Sequence, residues 1–172
     1  MPARTDSFDL ASLALTPGEA RRLDLDVSID PVAFADQDYD IEPKTVPVRL
    51  DLAKMVGNGW SMRLQFKASL SGPCMRCLQP AEPEFDIDSR ELDQPNMGED
   101  LDSPYVSEDE QLDLRGWVRD AFALALPAQV LCREDCAGLC ARCGANLNDE
   151  PDHEHEPEPD PRWAALKDLK LE

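Results

Sequence analysis

Cysteine spacing constrains this chain more than any other feature of its sequence. The 172 residues include six cysteines, and four of them lie close together at Cys132, Cys136, Cys140 and Cys143. Gly144 follows the last pair and allows a tight turn in which two thiolates and backbone N–H groups converge on one metal ion. Cys74 and Cys77 form a second Cys-x2-Cys pair. Because packing alone explains such clustering poorly, we interpret these cysteines as ligands of structural zinc.

Two histidines extend the set of candidate ligands. His153 and His155 are the only histidines in the chain, and they follow Cys143 within an acidic tract. Neutral imidazole is a common metal ligand, although two solvated imidazoles in an acidic tail would give the same sequence pattern. With the cysteines, eight candidate ligands are present, enough for two sites of four. Arg76 and Arg142 each precede the second cysteine of a pair, where a cation would offset the charge of a zinc–thiolate centre.

Other uses of the cysteines are less consistent with the sequence. Reduced cysteines often serve as small hydrophobic side chains. A thiol oxidoreductase acting through Cys140 and Cys143 would need a neighbouring βαβ pattern, and none precedes Cys140. The spacing is not usual for an iron–sulfur cluster, and the lack of a secretion signal disfavours disulfides. The sequence therefore favours zinc, with one or two ions per chain.

Composition limits the classes of partner. The 36 acidic residues outnumber the 17 Lys and Arg residues, which gives a formal charge of −19 and a pI near 4.3. Such a chain repels a phosphate backbone, so any contact with nucleic acid needs a local basic patch or a basic protein as intermediary. The longest apolar run, residues 121–126, is far shorter than the roughly 20 residues that cross a bilayer. We therefore expect a cytoplasmic protein with no membrane association.

Alternating side chains predict an antiparallel sheet. Residues 23–29 and 46–52 alternate between apolar and polar, and Pro47 indicates an edge position or a strand start. The cleanest alternation covers residues 60–70 after a Gly-Asn-Gly turn, and a weaker strand surrounds residues 85–87. These patterns predict an α+β fold with an antiparallel sheet or a partly closed β-barrel.

A helix is predicted to cover this sheet. Asp113 stands at an N-cap position, and the apolar residues that follow recur at helical spacing, which predicts a helix over residues 113–126. The acidic residues 93–111 are predicted to form a solvated loop. We divide the chain into a β-rich domain, residues 1–130, and a zinc-stapled segment, residues 131–172, with the clustered cysteines, an acidic tract and a short terminal helix.

One part of this acidic chain carries an excess of positive charge. Within residues 41–80, the candidates for RNA contact are Arg49, Arg63, Lys67 and Arg76. The first three fall on the polar sides of their predicted strands. The alternative, which we favour, is cross-strand pairing with Glu84, Asp86 and Asp88, worth about 0.2–1 kcal/mol per pair. Such pairing would leave little basic potential to attract phosphate.

The cysteine-rich region resembles a known family. The stretch from Leu131 to Asn148, with Leu-Ala-Leu-Pro before it and Asp-Pro-Arg-Trp after it, is similar to the YceD family, the large-ribosomal-RNA-subunit accumulation proteins of bacteria and plastids. Residues 74–78, Cys-Met-Arg-Cys-Leu, resemble the first cysteine knuckle of that family. The resemblance runs in order over most of the chain. Ala141 departs from it, because many members have proline there, but this change removes no ligand.

The resemblance also bears on how the ligands are divided. Many members carry Cys-x-Cys where this chain has His153-Glu154-His155, which favours ligation by both histidines. The two implied sites are Cys140, Cys143, His153 and His155, and Cys74, Cys77, Cys132 and Cys136. A single site of Cys132, Cys136, Cys140 and Cys143 stays an alternative.

The resemblance implies a non-catalytic factor needed for normal accumulation of large-subunit ribosomal RNA. We expect a binding or adaptor protein whose partner is a ribosomal protein or a large-subunit assembly intermediate, with ribosomal RNA contacted indirectly, because acidic segments attract basic proteins. The alternatives are a direct RNA-binding module and a thiol oxidoreductase at Cys140 and Cys143. Because the sequence shows no nucleophile–base constellation and no Gly-rich phosphate loop, we do not expect catalysis.

Overall fold

A computed structural model describes residues 5–34, 37–95 and 101–155, which form an antiparallel sheet covered by a helix. The strands are β1 (Phe8–Asp9), β2 (Ala20–Ser28), β3 (Val32–Phe34), β4 (Gln37–Glu42), β5 (Thr45–Lys54), β6 (Trp60–Pro73), β7 (Pro80–Ala81), β8 (Glu84–Asp93) and β9 (Gln111–Leu112). The helix is α1 (Leu114–Ala125).

Strand β6 organises the sheet because it pairs along both of its edges. β5 pairs with residues 60–66 and β8 with residues 60–69. β4 pairs with β6 beyond the end of β5, β7 pairs with β6 beyond β8, and β2 pairs with β5. Within the described ranges the sheet does not close; instead, α1 packs against both β2 and β8. The predicted α+β fold, an antiparallel sheet with a covering helix, is confirmed.

The alternation that predicted the strands also determines their buried face. From Trp60 to Leu70 every second side chain of β6 is buried, and those between them are more exposed. In β5 the residues from Val46 alternate in the same way. The possible edge position of Pro47 is wrong, because β5 lies between β2 and β6. Pro47 instead lies near the strand start, before pairing with β6 begins at Val48, so its missing N–H interrupts no β5–β6 pair.

Helix α1 begins where the sequence predicted. The Asp113 carboxylate accepts a hydrogen bond from the Gly116 backbone N–H at 2.9 Å, which satisfies one of the unpaired donors of the first turn. On its buried face, Trp117 Nε1 donates to Ser89 Oγ of β8 at 2.9 Å. Phe122, fully buried, meets Phe85 of β8 edge to face with ring centroids 5.6 Å apart. Apolar burial and these specific contacts together hold α1 on the sheet.

A buried ion pair attaches the loop after β8 to the end of the sheet. Lys54 is only 9% exposed, and its Nζ lies 2.8 Å from Glu110 Oε1 and 4.2 Å from the centre of the Trp60 ring. This contact with Lys54 lowers the pKa of Glu110. Ser103 is also buried and donates its backbone N–H to Asp93. In its described part the predicted loop is present, but it packs on the sheet instead of lying wholly in solvent.

The remaining elements bear on the predicted domain division. The short terminal helix predicted after residue 160 lies outside the described residues. The boundary between residues 130 and 131 stays a prediction. Within the described ranges, no helix is long and apolar enough to cross a membrane.

The packing of α1 gives a direct test of what holds the helix on the sheet. We expect Phe122→Ala to lower the free energy of unfolding by about 3–5 kcal/mol, because it leaves a cavity against Phe85. Leu124 lies in the same helix but is 86% exposed, so Leu124→Ala should change the free energy by less than about 0.5 kcal/mol. Urea unfolding measures both. Equal effects of the two substitutions would contradict this packing of α1.

Candidate metal centres

The first cysteine pair lies at the tip of the β6–β7 hairpin. Pro73 pairs with Pro80, and the loop between them is closed by hydrogen bonds from Cys74 N to Gln79 O (2.8 Å) and from Leu78 N to Cys74 O (3.0 Å). Cys74 and Cys77 are almost completely buried, with exposures of 0% and 2%. This turn presents both thiols to the segment that follows α1.

That segment completes a four-cysteine group. Met75 N donates to Val130 O at 2.9 Å, which brings the chain after α1 alongside the hairpin tip. The Sγ atoms of Cys74 and Cys136 are 3.8 Å apart, and those of Cys77 and Cys132 are 3.6 Å apart. All four Sγ atoms lie within 4.8 Å of one another and could hold a metal ion. We call Cys74, Cys77, Cys132 and Cys136 the cysteine site.

The second group combines two cysteines with the two histidines. Cys140 Sγ lies 3.2 Å from His155 Nε2, and Cys143 Sγ lies 3.1 Å from His153 Nε2. The two Nε2 atoms are 3.0 Å apart, and all four ligand atoms lie within 4.8 Å of one another. This group, the cysteine–histidine site, could hold a second metal ion. The structure thus brings together the two sets of four residues named from the sequence, and not the single set within residues 132–143. Their role as metal ligands stays a prediction.

Both cysteine pairs are built on the same backbone turn. In the second pair, Cys140 N donates to Ala145 O and Gly144 N donates to Cys140 O, each at 2.8 Å, as Cys74 and Leu78 do in the first. The residue after each pair has a left-handed backbone, with φ of 76° at Gly144 and 61° at Leu78. Glycine adopts this conformation without steric cost, whereas a leucine in the same conformation has a steric cost. The second turn was readable from Gly144, but the first lacks that signal.

Backbone N–H groups prepare the first cysteine of each pair for metal binding. In the cysteine–histidine site, the N–H groups of Arg142 and Cys143 lower the pKa of Cys140 to about 6. In the cysteine site, burial acts to raise the pKa of Cys74, but N–H groups including that of Arg76 outweigh it and lower the pKa to about 6. Both thiols therefore favour the thiolate at neutral pH, which is the form that binds metals.

The two sites differ in their access to solvent. In the cysteine site all members except Cys132 are buried, whereas Cys143 and His155 of the cysteine–histidine site are exposed. His153 is the better oriented of the two imidazoles, because its Nδ1 lies 3.1 Å from Glu150 Oε2. A carboxylate at this position fixes the ring and leaves Nε2 to face a metal.

Asn148, which sequence reasoning missed, connects the two sites. It lies on the loop between Cys143 and His153, yet its Nδ2 donates to Cys136 Sγ at 3.5 Å and its Oδ1 accepts from Ala137 N at 2.8 Å. One amide on a loop of the cysteine–histidine site thus contacts a member of the cysteine site. No pattern in the sequence indicates this contact, because the partners meet only when both turns have formed.

Arg76, one of the RNA candidates, braces the cysteine site. Its Nη1 donates to Cys136 O at 3.1 Å, and its Nε and Nη2 both donate to Gln129 Oε1. Its own carbonyl accepts from Leu139 N at 3.1 Å. These contacts tie the hairpin tip to the chain on either side of Cys132.

The other three RNA candidates, unlike Arg76, have acidic neighbours within the described ranges. Arg63 Nε donates to Asp88 at 2.8 Å, and Lys67 Nζ lies 3.0 Å from Asp86, as the cross-strand alternative predicted. Arg49 lies 3.7 Å from Asp24 across the β2–β5 pair. Each ion pair reduces the positive potential that the sheet presents to a phosphate. A role of these residues in RNA binding stays a prediction.

Comparison with known proteins shows which family has this sequence pattern. Residues 62–170 match the profile described as "Large ribosomal RNA subunit accumulation protein YceD". The chain belongs to the YceD family. The matched residues include every member of both sites.

Several curated proteins are similar to this chain. An uncharacterized protein of Mycobacterium tuberculosis is 32% identical over 95% of this chain and 80% of its own length. An uncharacterized protein of Mycobacterium leprae is 28% identical over 94% of this chain and 76% of its own. A maize protein named "Large ribosomal RNA subunit accumulation protein YCED homolog 1, chloroplastic" is 30% identical over 45% of this chain and 22% of its own. No solved structure gives a significant match.

The position of Asn148 leads to a prediction about metal retention. We expect Asn148→Ala to weaken metal binding at the cysteine site about tenfold or more, because the thiolate of Cys136 loses a donor and Ala137 N loses its acceptor. Transfer of metal to a chromogenic chelator measures the effect. Asp152→Ala, an exposed change on the same loop, is the control. If both variants release metal at the wild-type rate, Asn148 does not support the site.

Proposed function

We propose that both sites bind zinc. A tetrahedral zinc ion with Zn–S bonds of about 2.3 Å needs sulfur atoms roughly 3.8 Å apart. The two short Sγ–Sγ distances of the cysteine site, 3.6 and 3.8 Å, are close to this value. Four thiolates, or two thiolates with two imidazoles, are the donor sets typical of closed structural zinc sites. The shorter contacts of the cysteine–histidine site fit the same ion with slight outward movement of the ligands.

Zinc in these sites would act on the fold and not on a substrate. In the cysteine site it would join the tip of the β6–β7 hairpin to the segment after α1, and in the cysteine–histidine site it would join residues 140–143 to 153–155. Because unfolded chains rarely retain such sites, the binding free energy of zinc contributes to folding. We infer that the ions hold a surface in shape for a partner.

The metal content of the purified protein tests this division of ligands. We expect two zinc ions per chain by elemental analysis and native mass spectrometry, falling to one in His153→Ala/His155→Ala, because that variant removes half of one site. The remaining ion should still shield Cys74 and Cys77 from alkylation. An unchanged number of zinc ions in the variant would show that the two histidines are solvated and do not bind the ion.

We further propose a role in the accumulation of large-subunit ribosomal RNA. The observation that carries this proposal is the family match, which covers all the candidate ligands. The maize relative bears the same functional name. We propose that the protein is cytoplasmic and acts as a binding or adaptor factor without catalytic activity.

Charge favours a protein partner over direct contact with RNA. The chain carries a net charge of −19, and the four basic candidates for RNA contact all lie against acceptors within the chain. An acidic surface accelerates encounter with a basic ribosomal protein and repels bare RNA. We therefore propose a ribosomal protein or a large-subunit assembly intermediate as partner, with RNA reached through it.

The thiol oxidoreductase stays the alternative from another class. The pKa of Cys140, lowered to about 6, would suit a reactive thiolate as well as a zinc ligand. The two imidazole nitrogens close to Cys140 and Cys143 favour ligation. Alkylation of the metal-loaded protein separates the two functions, because a zinc-bound Cys140 should be protected.

Cells depleted of the protein test the proposed role. We expect the ratio of large-subunit to small-subunit ribosomal RNA to fall on depletion and to return with the wild-type chain. Restoration by His153→Ala/His155→Ala should be partial, because one of the two sites remains. Leu92→Ala, an exposed change on β8, is the control. An unchanged ratio in depleted cells would refute the proposed role.

A further inference from the structure

The end of α1 carries an apolar surface that the fold leaves exposed. Residues 123–128 read Ala-Leu-Ala-Leu-Pro-Ala, and all are exposed except Leu126, which is partly buried. Leu124, the most exposed of these residues with a large side chain, is 86% exposed. An exposed apolar run that adjoins a groove is a common feature of protein-binding surfaces.

A groove begins where this apolar run ends. Its volume is about 420 Å³. The segment after α1 lines the groove at alternate positions through Pro127, Gln129 and Leu131, and Pro83, just before β8, also lines it. Val130, between two of these residues, is fully buried and holds the segment against Met75. This segment is thus fixed to the hairpin tip that carries the cysteine site, and Cys132 itself lines the groove.

The groove has a negative rim. Glu82 and Glu134 line it, and both are exposed. Its one lining cation, Arg133, lies 3.2 Å from Asp135 and donates to Asn148, so its charge is engaged within the chain. An apolar wall between two carboxylates is complementary to an aliphatic side chain flanked by lysine or arginine.

We propose that this groove and the adjoining end of α1 bind a basic, extended segment of a partner protein, with an aliphatic side chain of that segment in the groove. The inference rests on the proposed adaptor function and names the chemistry of its partner. Electrostatic attraction to Glu82 and Glu134 supplies the approach. Burial of one aliphatic side chain against Leu131 in the groove, and of a neighbouring one against Leu124 at the end of α1, supplies the affinity.

Two other occupants fit the charge less well. Residues 156–172 of this chain hold five acidic residues and three cations, so their net charge is −2; the acids are Glu156, Glu158, Asp160, Asp168 and Glu172, and the cations are Arg162, Lys167 and Lys170. That composition opposes approach to a negative rim. A second copy of the chain would bring a net charge of −19 to the same surface. A basic segment from another protein meets neither objection.

Binding of synthetic peptides to the full zinc-loaded chain tests the proposal. The probe is a fluorescein-labelled peptide of about ten residues with a central leucine pair flanked by lysines, and the comparison peptides replace the leucines by serine or the lysines by glutamate. We expect the leucine–lysine peptide to bind at least about tenfold more tightly than either comparison peptide, as burial of one aliphatic side chain and loss of rim attraction imply.

Variants of the protein locate the site. Leu124→Ser and Glu82→Lys/Glu134→Lys should each weaken binding about tenfold, whereas the matched exposed changes Leu92→Ser and Glu108→Lys should not. Equal loss in the matched changes, or no loss in the groove variants, would overturn the proposal. So would the absence of peptide binding.

The other occupants would also be visible in these measurements. Binding that strengthens at least tenfold when residues 156–172 are removed would overturn the proposal in favour of the chain's own terminus. A dimer that Leu124→Ser dissociates in sedimentation would overturn it in favour of a second copy. If peptide binding fails while the wild-type chain still restores the ribosomal RNA ratio in depleted cells, the groove proposal is refuted and the proposed role in ribosomal RNA accumulation is not.

Discussion

The convergence of thiols from distant parts of the chain is the constraint on which this structure depends. Cys74 and Cys136 are 62 residues apart in sequence, yet their sulfur atoms lie 3.8 Å apart. This approach requires that β6 turn back into β7 and that α1 cross the sheet and end near the same hairpin. The sheet, the helix and the cysteine site are therefore parts of one arrangement. Within it, the chain from Cys77 to Cys132 forms one long loop whose ends meet at the cysteine site.

Several lysine and arginine side chains contact partners within the chain. Arg63 and Lys67 pair with β8, Arg76 braces the cysteine site, and Lys54 is buried against Glu110. The exposed pairs of Arg63 and Lys67 add little stability, but each places a carboxylate beside a cation and offsets its charge. With these cations offset locally, the net charge of −19 favours partners that are basic.

Much of the fold followed from local patterns, whereas most supporting contacts did not. The alternation in β6 and the Asp113 cap were predictable because periodicity and capping act within a few residues. The residues of the two candidate metal sites were predictable because cysteine and histidine spacing is distinctive. Asn148 and the docking of the loop by Lys54 were not, because both depend on residues that meet only in the folded chain. Pro47 left an edge position and a strand start both open, because a proline near a strand start resembles one at a sheet edge; the structure shows the strand start.

The shared turn of the two cysteine pairs has a consequence for how such centres diversify. Each turn is closed by its own backbone hydrogen bonds, so it needs nothing from the side chains that complete its site. The cysteine site is completed by Cys132 and Cys136, which follow α1 in the chain. The cysteine–histidine site is completed by His153 and His155, which follow the second turn. Because each two-cysteine turn forms independently, the two residues that complete its site can differ in type and in position along the chain while the turn stays the same.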